Sequence, residues 1–458
     1  MARSRWRLPA LCGVQFVDVL GVTSAVTAIP AMLRGVSAPA DATPILAAAY
    51  AVFFGGLLVL GARLGDRYGH RRVLLVGVAG FIGAGLVGAT ASEIIQLVTA
   101  RGLQGVAAAV SVPCALRLLL AVPARDDPSR AALAFWSAGG AAAGALGFLV
   151  GGLLTDSSGW RAVFWVNIPA GLLLLVAIAL VVPPLPAERA ARLDVVGAII
   201  LVVSVMALIV GAALVQDPAR RAPGGILIAA GIGLGAGFVV QQHRVGNPLV
   251  PRPAWASANL RTGTLVSFVN TATTSSAGVL ATLLMQQQFG VSAVRAGLLL
   301  LPFSLGVIGG SALYTPLRPR LTTRRLAAVG LLGIAAGDLL LALTYGSVAG
   351  IVAGVIVAGV GLGIASVAGN AIGTDVDESL RGTASGVLNA GAQLGTALGV
   401  AGLLVLAVTI NRPWPGTALA WAVAASFAGL AALTLAVRDL GARTPQTSGP
   451  SGALVERR

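Results

Sequence analysis

Long apolar runs alternate with short polar breaks along nearly the whole chain. A hydrocarbon core takes about 20 apolar residues per helix. On that measure fourteen segments qualify: 9–33, 44–62, 73–92, 94–120, 131–154, 162–182, 194–215, 224–241, 260–284, 296–315, 326–345, 347–370, 383–410 and 416–437. The seventh and eighth are the least regular, the eighth being short and glycine-rich. Two longer polar interruptions, Pro183-Pro184-Leu185-Pro186 and the proline-bearing stretch from His243 to Ser257, punctuate the series. They divide the chain into an N-terminal six-helix half (1–182), a linker with two inserted helices (183–258) and a C-terminal six-helix half (259–437). A polar cytoplasmic tail (438–458) follows and is expected to be disordered. The expected fold is an all-α polytopic membrane protein, two pseudo-symmetric halves plus an inserted pair, arranged around a central cavity.

Composition agrees with this pattern. The chain is 57% hydrophobic and 10% charged, with 61 glycines, which is the profile of a helical membrane protein. All 31 basic residues are arginine, a bias that fits a GC-rich bacterial genome. Twenty-four lie on the side of the N-terminus and six on the other, with Arg101 inside a span. Excess arginine marks the cytoplasmic side, so both termini are expected inside a bacterial plasma (inner) membrane. The first apolar run reaches Leu33, too long for a cleaved signal. The net charge of +15 is spread over short loops, which argues against nucleic acid as a partner. Cys12 and Cys114 both fall in apolar runs, so neither a disulfide framework nor a metal site is expected. With no lysine there is no Gly-x-x-x-x-Gly-Lys loop, hence no ATP site, and no nucleophile stands beside His70 or His243. The chain reads as a non-enzyme without a cofactor, functional as a monomer in the lipid bilayer.

Charged residues at membrane depth are costly and functional by default. Arg101 lies eight residues past Glu93, too deep for simple snorkelling. It either couples to transport or glues helices through carbonyl contacts. Asp18 either takes and releases a proton or is permanently paired, with Arg101 a candidate partner. Asp338, on a helix expected at the periphery, reads as a packing or lipid-boundary residue. The ninth span carries Ser267, Asn270, Thr271, Thr274 and Gly278 at three- and four-residue spacing. Such a stripe fits a hydrated cavity wall, and equally fits ordinary interhelical hydrogen bonds.

The segment Gly65-Asp66-Arg67-Tyr68-Gly69-His70-Arg71-Arg72, read as a tight loop between the second and third spans, resembles the cytoplasmic signature of the major facilitator superfamily. Gly69 supplies a left-handed turn there, and Asp66 suits helix N-terminal amides. Arg101, Gln104 and Gly105 resemble the family's fourth-helix motif, whose arginine is implicated in proton coupling. Gly147, Gly151 and Gly152 keep the glycines of its antiporter motif, with Phe148 in the proline's place. The Gly159-Trp160-Arg161 and Gly382-Thr383-Ala384 regions are similar to those of fourteen-helix drug:proton antiporters. In the first span Thr23 matches the family's threonine and Gly21 replaces its aspartate; Asp18, three residues earlier on nearly the same face, stands in for that acid.

The resemblance implies proton-driven export of a small amphipathic drug, antibiotic or hydrophobic metabolite by alternating access, with protons as the second partner. Asp18 and Arg101 are the coupling candidates, and Gly65, Asp66, Arg67, Gly69, Arg71 and Arg72 form the conformational motif. Thr23, Thr27, Asn270, Thr274, Asn389 and Gln393 are the candidate cavity residues. The alternatives are a proton-coupled or facilitated importer, which Phe148 favours, and a non-transporting membrane scaffold or sensor.

Overall fold

A computed structural model describes residues 6–121, 128–185, 193–409 and 413–441. Among them, fourteen helices are long and apolar enough to cross a membrane. These are α1 (Arg7–Gly35), α2 (Thr43–Tyr68), α3 (His70–Ala89), α4 (Ile94–Leu120), α5 (Pro128–Ser158), α6 (Asn167–Val181, preceded by a turn at Ala162–Trp165) and α7 (Val195–Leu214). The series continues with α8 (Arg221–Arg244), α9 (Ala258–Gln287), α10 (Ala293–Leu317), α11 (Thr323–Thr344), α12 (Val348–Gly373), α13 (Arg381–Thr409) and α14 (Pro413–Gly441). No strand occurs among the described residues. The remainder of the proline-rich connector (186–192) and the tail from 442 lie outside the described residues.

Three details differ from the expected elements. The signature segment is not a loop. α2 runs through Tyr68 and α3 starts at His70, so Gly69 alone joins them, at φ +93°. α8 is a full 24-residue helix, because its glycines pack on α7 instead of breaking the chain: Gly224 and Gly231 lie against the backbones of Gly211 and Ser204. α14 continues through Gly441, past the expected end at 437.

Small residues set the packing. Within the first six helices α1 packs on α5, and α2 and α3 on α4; within the last six, α9 packs on α13 and α12, and α11 on α12 and α14. Two seams join these groups, α2 with α13 and α5 with α10. A Cβ at Gly55 would meet the α13 backbone at 3.2 Å, and one at Gly297 would strike the carbonyl of Phe148. Such close approach is the usual basis of helix association in lipid, where burial of apolar surface gives no drive. α7 touches both α2 and α13, with α8 packed behind it.

Arg63, Arg67, Arg71 and Arg72 share one end of the bundle, the arginine-rich face, with Arg318, Arg320, Arg324 and Arg325. On the opposite face the two six-helix groups are tied together. Gln286 Nε2 donates to the Thr27 carbonyl (3.0 Å), and the Asp156 carboxylate of α5 accepts from the amides of Ala293 (3.3 Å) and Val294 (2.9 Å). Those amides open α10, so an acid there meets the positive end of a helix dipole.

Candidate functional site

Between the two groups lies a cavity of about 310 Å³. Its wall is mostly apolar, built from Val26 and Ile29 of α1, Phe148 of α5, Phe303 of α10 and Val400 of α13, with polar groups contributed by both halves. Those groups include Thr23, Tyr50, Arg101, Thr271, Thr274, Ser275, Gln393 and Thr396. A hydroxyl pair, Ser275 and Thr396 (Oγ to Oγ1, 3.2 Å), ties α9 to α13 within this wall, and Thr271 donates to the Ala392 carbonyl (2.6 Å).

The charged corner is organised by Tyr50. Its hydroxyl donates to Asp18 Oδ1 at 2.6 Å, a charge-assisted length. The Arg101 guanidinium sits 5.1 Å from the Tyr50 ring centroid, within cation–π range, and its Nη1 donates to Gln104 Oε1 (3.0 Å). All three side chains are buried: Asp18 is 6%, Tyr50 2% and Arg101 5% exposed. The direct Asp18–Arg101 pairing considered from sequence is replaced by a chain, Asp18–Tyr50–Arg101–Gln104. Tyr50 and Arg101 border the cavity. Asp18 lies behind Tyr50, beside a separate space of about 20 Å³ that Ser111 also borders, roughly enough for one water.

The fourth-helix motif has a local reason. Gly105 lies against the Tyr50 carbonyl and Phe54 amide, and any side chain there would displace α2. Arg101 covers the ring, Gln104 steadies Arg101, and Gly105 lets the phenol approach. The three antiporter-like glycines serve two seams: Gly147 and Gly151 admit Thr23 and the Ser24 backbone of α1, and Gly152 admits the Ala293 backbone of α10. Phe148, in the proline's place, lines the cavity.

The other expected residues divide. Thr23, Thr274 and Gln393 line the cavity. Three do not. Thr27 is turned onto its own helix, donating to the Ser24 carbonyl (3.0 Å); Asn270 reaches Ser366 of α12 (3.3 Å); Asn389 is exposed, outside the cavity lining. Helix rotation set by the glycine seams decides these orientations. In the signature, Asp66 meets not amides but His70 Nε2 (3.1 Å). Gly65 admits His70 and Cys114, and Arg67 lies over the Tyr68 ring. Arg71 donates to the Ala179 carbonyl near the end of α6 (2.6 Å), and Arg72 is exposed. Asp338 is not at a lipid boundary; it is fully buried. Tyr50 and Asp156 were missed by sequence reasoning. A phenol inside the apolar run 47–60 was the available signal, since a buried hydroxyl needs a partner.

The Major Facilitator Superfamily profile matches residues 11–240 and 263–456, and the chain belongs to that superfamily. Among similar proteins, the puromycin resistance protein of Streptomyces alboniger is 31% identical over 414 residues, covering 87% of this chain and 81% of that protein. The cephamycin export protein CmcT of Amycolatopsis lactamdurans is 29% identical over 439 residues (94% and 90%). The multidrug efflux pump LfrA of Mycolicibacterium smegmatis is 30% identical over 363 residues (77% and 71%). A POT family transporter in complex with 5-aminolevulinic acid shares the fold, with a TM-score of 0.70 at 14% identity over 95% of this chain and 96% of that one. The protein is therefore a multi-pass membrane transporter and not an enzyme.

Proposed function

We propose that this protein exports small amphipathic drugs, antibiotics or hydrophobic metabolites in exchange for protons. The observation that carries the reading is the pairing of a largely apolar cavity with a buried acid hydrogen-bonded to Tyr50, which borders that cavity. The antibiotic and multidrug exporters among its relatives support the choice of cargo. In this reading residues 1–182 and 259–437 rock about the cavity, 183–258 links them, and the arginine-rich face with both termini is cytoplasmic. With the outer face tied by Asp156 and Gln286, the form described here takes up cargo from inside. A proton arriving at Asp18 from outside neutralises the carboxylate, loosens Tyr50 and Arg101, and favours the return; its release inside re-forms the chain.

The test is ethidium efflux from a pump-deficient bacterium expressing the wild-type protein, with empty vector and protonophore controls. Efflux above the vector level that the protonophore abolishes is the expected result. Wild type equal to vector, despite normal insertion, would remove broad drug export. Phe148 in place of the antiporter proline favours one other reading, a proton-coupled importer, for which the protonophore would suppress uptake of a metabolite. The outer tie has its own consequence. Asp156→Asn removes a charge worth about 0.3–1 kcal/mol at a helix N-terminus. It is expected to raise labelling of a cysteine placed at Thr274, by an impermeant reagent from outside, about two- to fivefold. The measurement uses a Cys12→Ser, Cys114→Ser background.

A further inference from the structure

Asp338 is a fully buried acid for which the reading above has no use. It stands fifteen residues beyond Thr323, about 22 Å along α11, and six before its end at Thr344. Its side chain has no solvent exposure, and neither carboxyl oxygen has a hydrogen-bond partner. α11 packs against α9, α12 and α14. The charged residues of these helices are Arg261 of α9, Arg324 and Arg325 of α11 itself, and Arg438 and Asp439 of α14; α12 has none. All lie near the arginine-rich ends, and Arg325 is taken by Asp439 (2.9 Å). Arg325 is thirteen residues from Asp338, about 20 Å along the helix. An ionised carboxylate at this depth would stand unpaired, at a cost of several kcal/mol.

An internal repeat pairs this position with a glycine in the other half. Arg71-Arg72, Val76-Gly77 and Gly80 of α3 match Arg324-Arg325, Val329-Gly330 and Gly333 of α11, which sets Gly85 opposite Asp338. Likewise Phe16-Val17-Asp18 of α1 matches Phe268-Val269-Asn270 of α9. Each half thus carries one deep acid, on non-equivalent helices. The seams around Asp338 are unequal. A Cβ at Gly337 or Gly330 would strike the α12 backbone at Ala358 or Ala365, whereas one at Gly429 of α14 would stand 3.9 Å from the Ala335 methyl, an ordinary contact. On α14 the buried Trp421 Nε1 is a donor without a partner. Counted from the facing pair Gly429 and Ala335, Trp421 lies about 12 Å and Asp338 about 4.5 Å towards the face opposite the arginines. The two are thus out of level by about 7–8 Å, and a slide of α11 along α14 is what would bring them together.

We propose that Asp338 is a second proton-binding site, loaded in the packing described here and unloaded when α11 shifts along α14. The proton leaves to water admitted at that seam, and the carboxylate left behind accepts the Trp421 N–H. A shift of about one helical turn is a known kind of two-state movement. This rests on the proton-exchange reading above and adds a second acid to it.

The test uses the full chain in proteoliposomes. Infrared spectra at neutral pH are expected to show a protonated-carboxyl C=O band that Asp338→Asn removes and Asp18→Asn leaves at least in part. Asp338→Asn is nearly isosteric. It is expected to keep downhill substrate exchange while losing proton-driven accumulation about tenfold, with Asp338→Glu restoring part of it and Trp421→Phe impairing it. An Asp338→Asn protein that accumulates substrate with the wild-type proton requirement, or an infrared band it leaves unchanged, would overturn the proposal. A wild type without proton-driven transport would overturn the functional reading and the coupling role together; normal coupling in both proteins overturns only this one.

Discussion

Arg101→Ala is expected to abolish proton-driven efflux, by more than about a hundredfold at matched membrane abundance. Truncating one member of a buried charged cluster costs about 3–5 kcal/mol, because the partners stay buried without it. Here, among the described residues, the Arg101 guanidinium is the positive charge that faces the Tyr50–Asp18 pair from within the bundle. Tyr50→Phe makes the finer cut. It keeps the ring under Arg101 and deletes the hydroxyl that donates to Asp18 at 2.6 Å. A hydrogen bond to a charged group is worth about 1.5–3 kcal/mol, so a loss of about ten- to a hundredfold in energised efflux is expected. Substrate binding to the purified protein should change little in that variant. If Tyr50→Phe instead transports like the wild type, the chain from Asp18 to Arg101 has no part in coupling.

The second large effect is structural. Gly105→Ala places a methyl against the Tyr50 carbonyl and close to the Phe54 amide, backbone groups with no slack. Overpacking of this kind costs about 1–3 kcal/mol, occasionally more. The thermal midpoint in detergent should fall, and efflux with it, because Tyr50 moves as α2 is pushed away. Gly83→Ala is the control: no atom lies within 4 Å of its Cβ position, so stability and efflux should be unchanged. Equal effects at the two positions would mean that the α2–α4 approach does not constrain the site.

How far the sequence carried this differs between levels. The spans were legible because their period and length are local properties; residues 94–120 of the chain match α4 end to end. Arg101 was legible because a charge in an apolar run stands out. Tyr50 was not, since its role needs α1, α2 and α4 brought together, and tyrosine in an apolar run looks like a bulky core residue. Thr27 and Asn270 carry the right chemistry on the wrong side of their helices. Their direction is set by where Gly151 and Ser366 lie, which no count along a single helix contains. From sequence Gly69 reads as a loop residue, yet a single positive-φ glycine suffices to reverse the chain when both flanking helices are long and apolar.

The placement of α7 has a consequence for any relative motion of the two six-helix groups. It is seated on α2 from one group and α13 from the other, with α8 behind it. A strut fastened to both leaves of a door sits beside the hinge line, where travel is least. The leaves must then swing widest on the far flank, where α5 and α10 meet through Gly152 and Gly297. Two extra helices in such a protein would thus fix which edge of the cavity opens to the width of the cargo, and which edge merely turns.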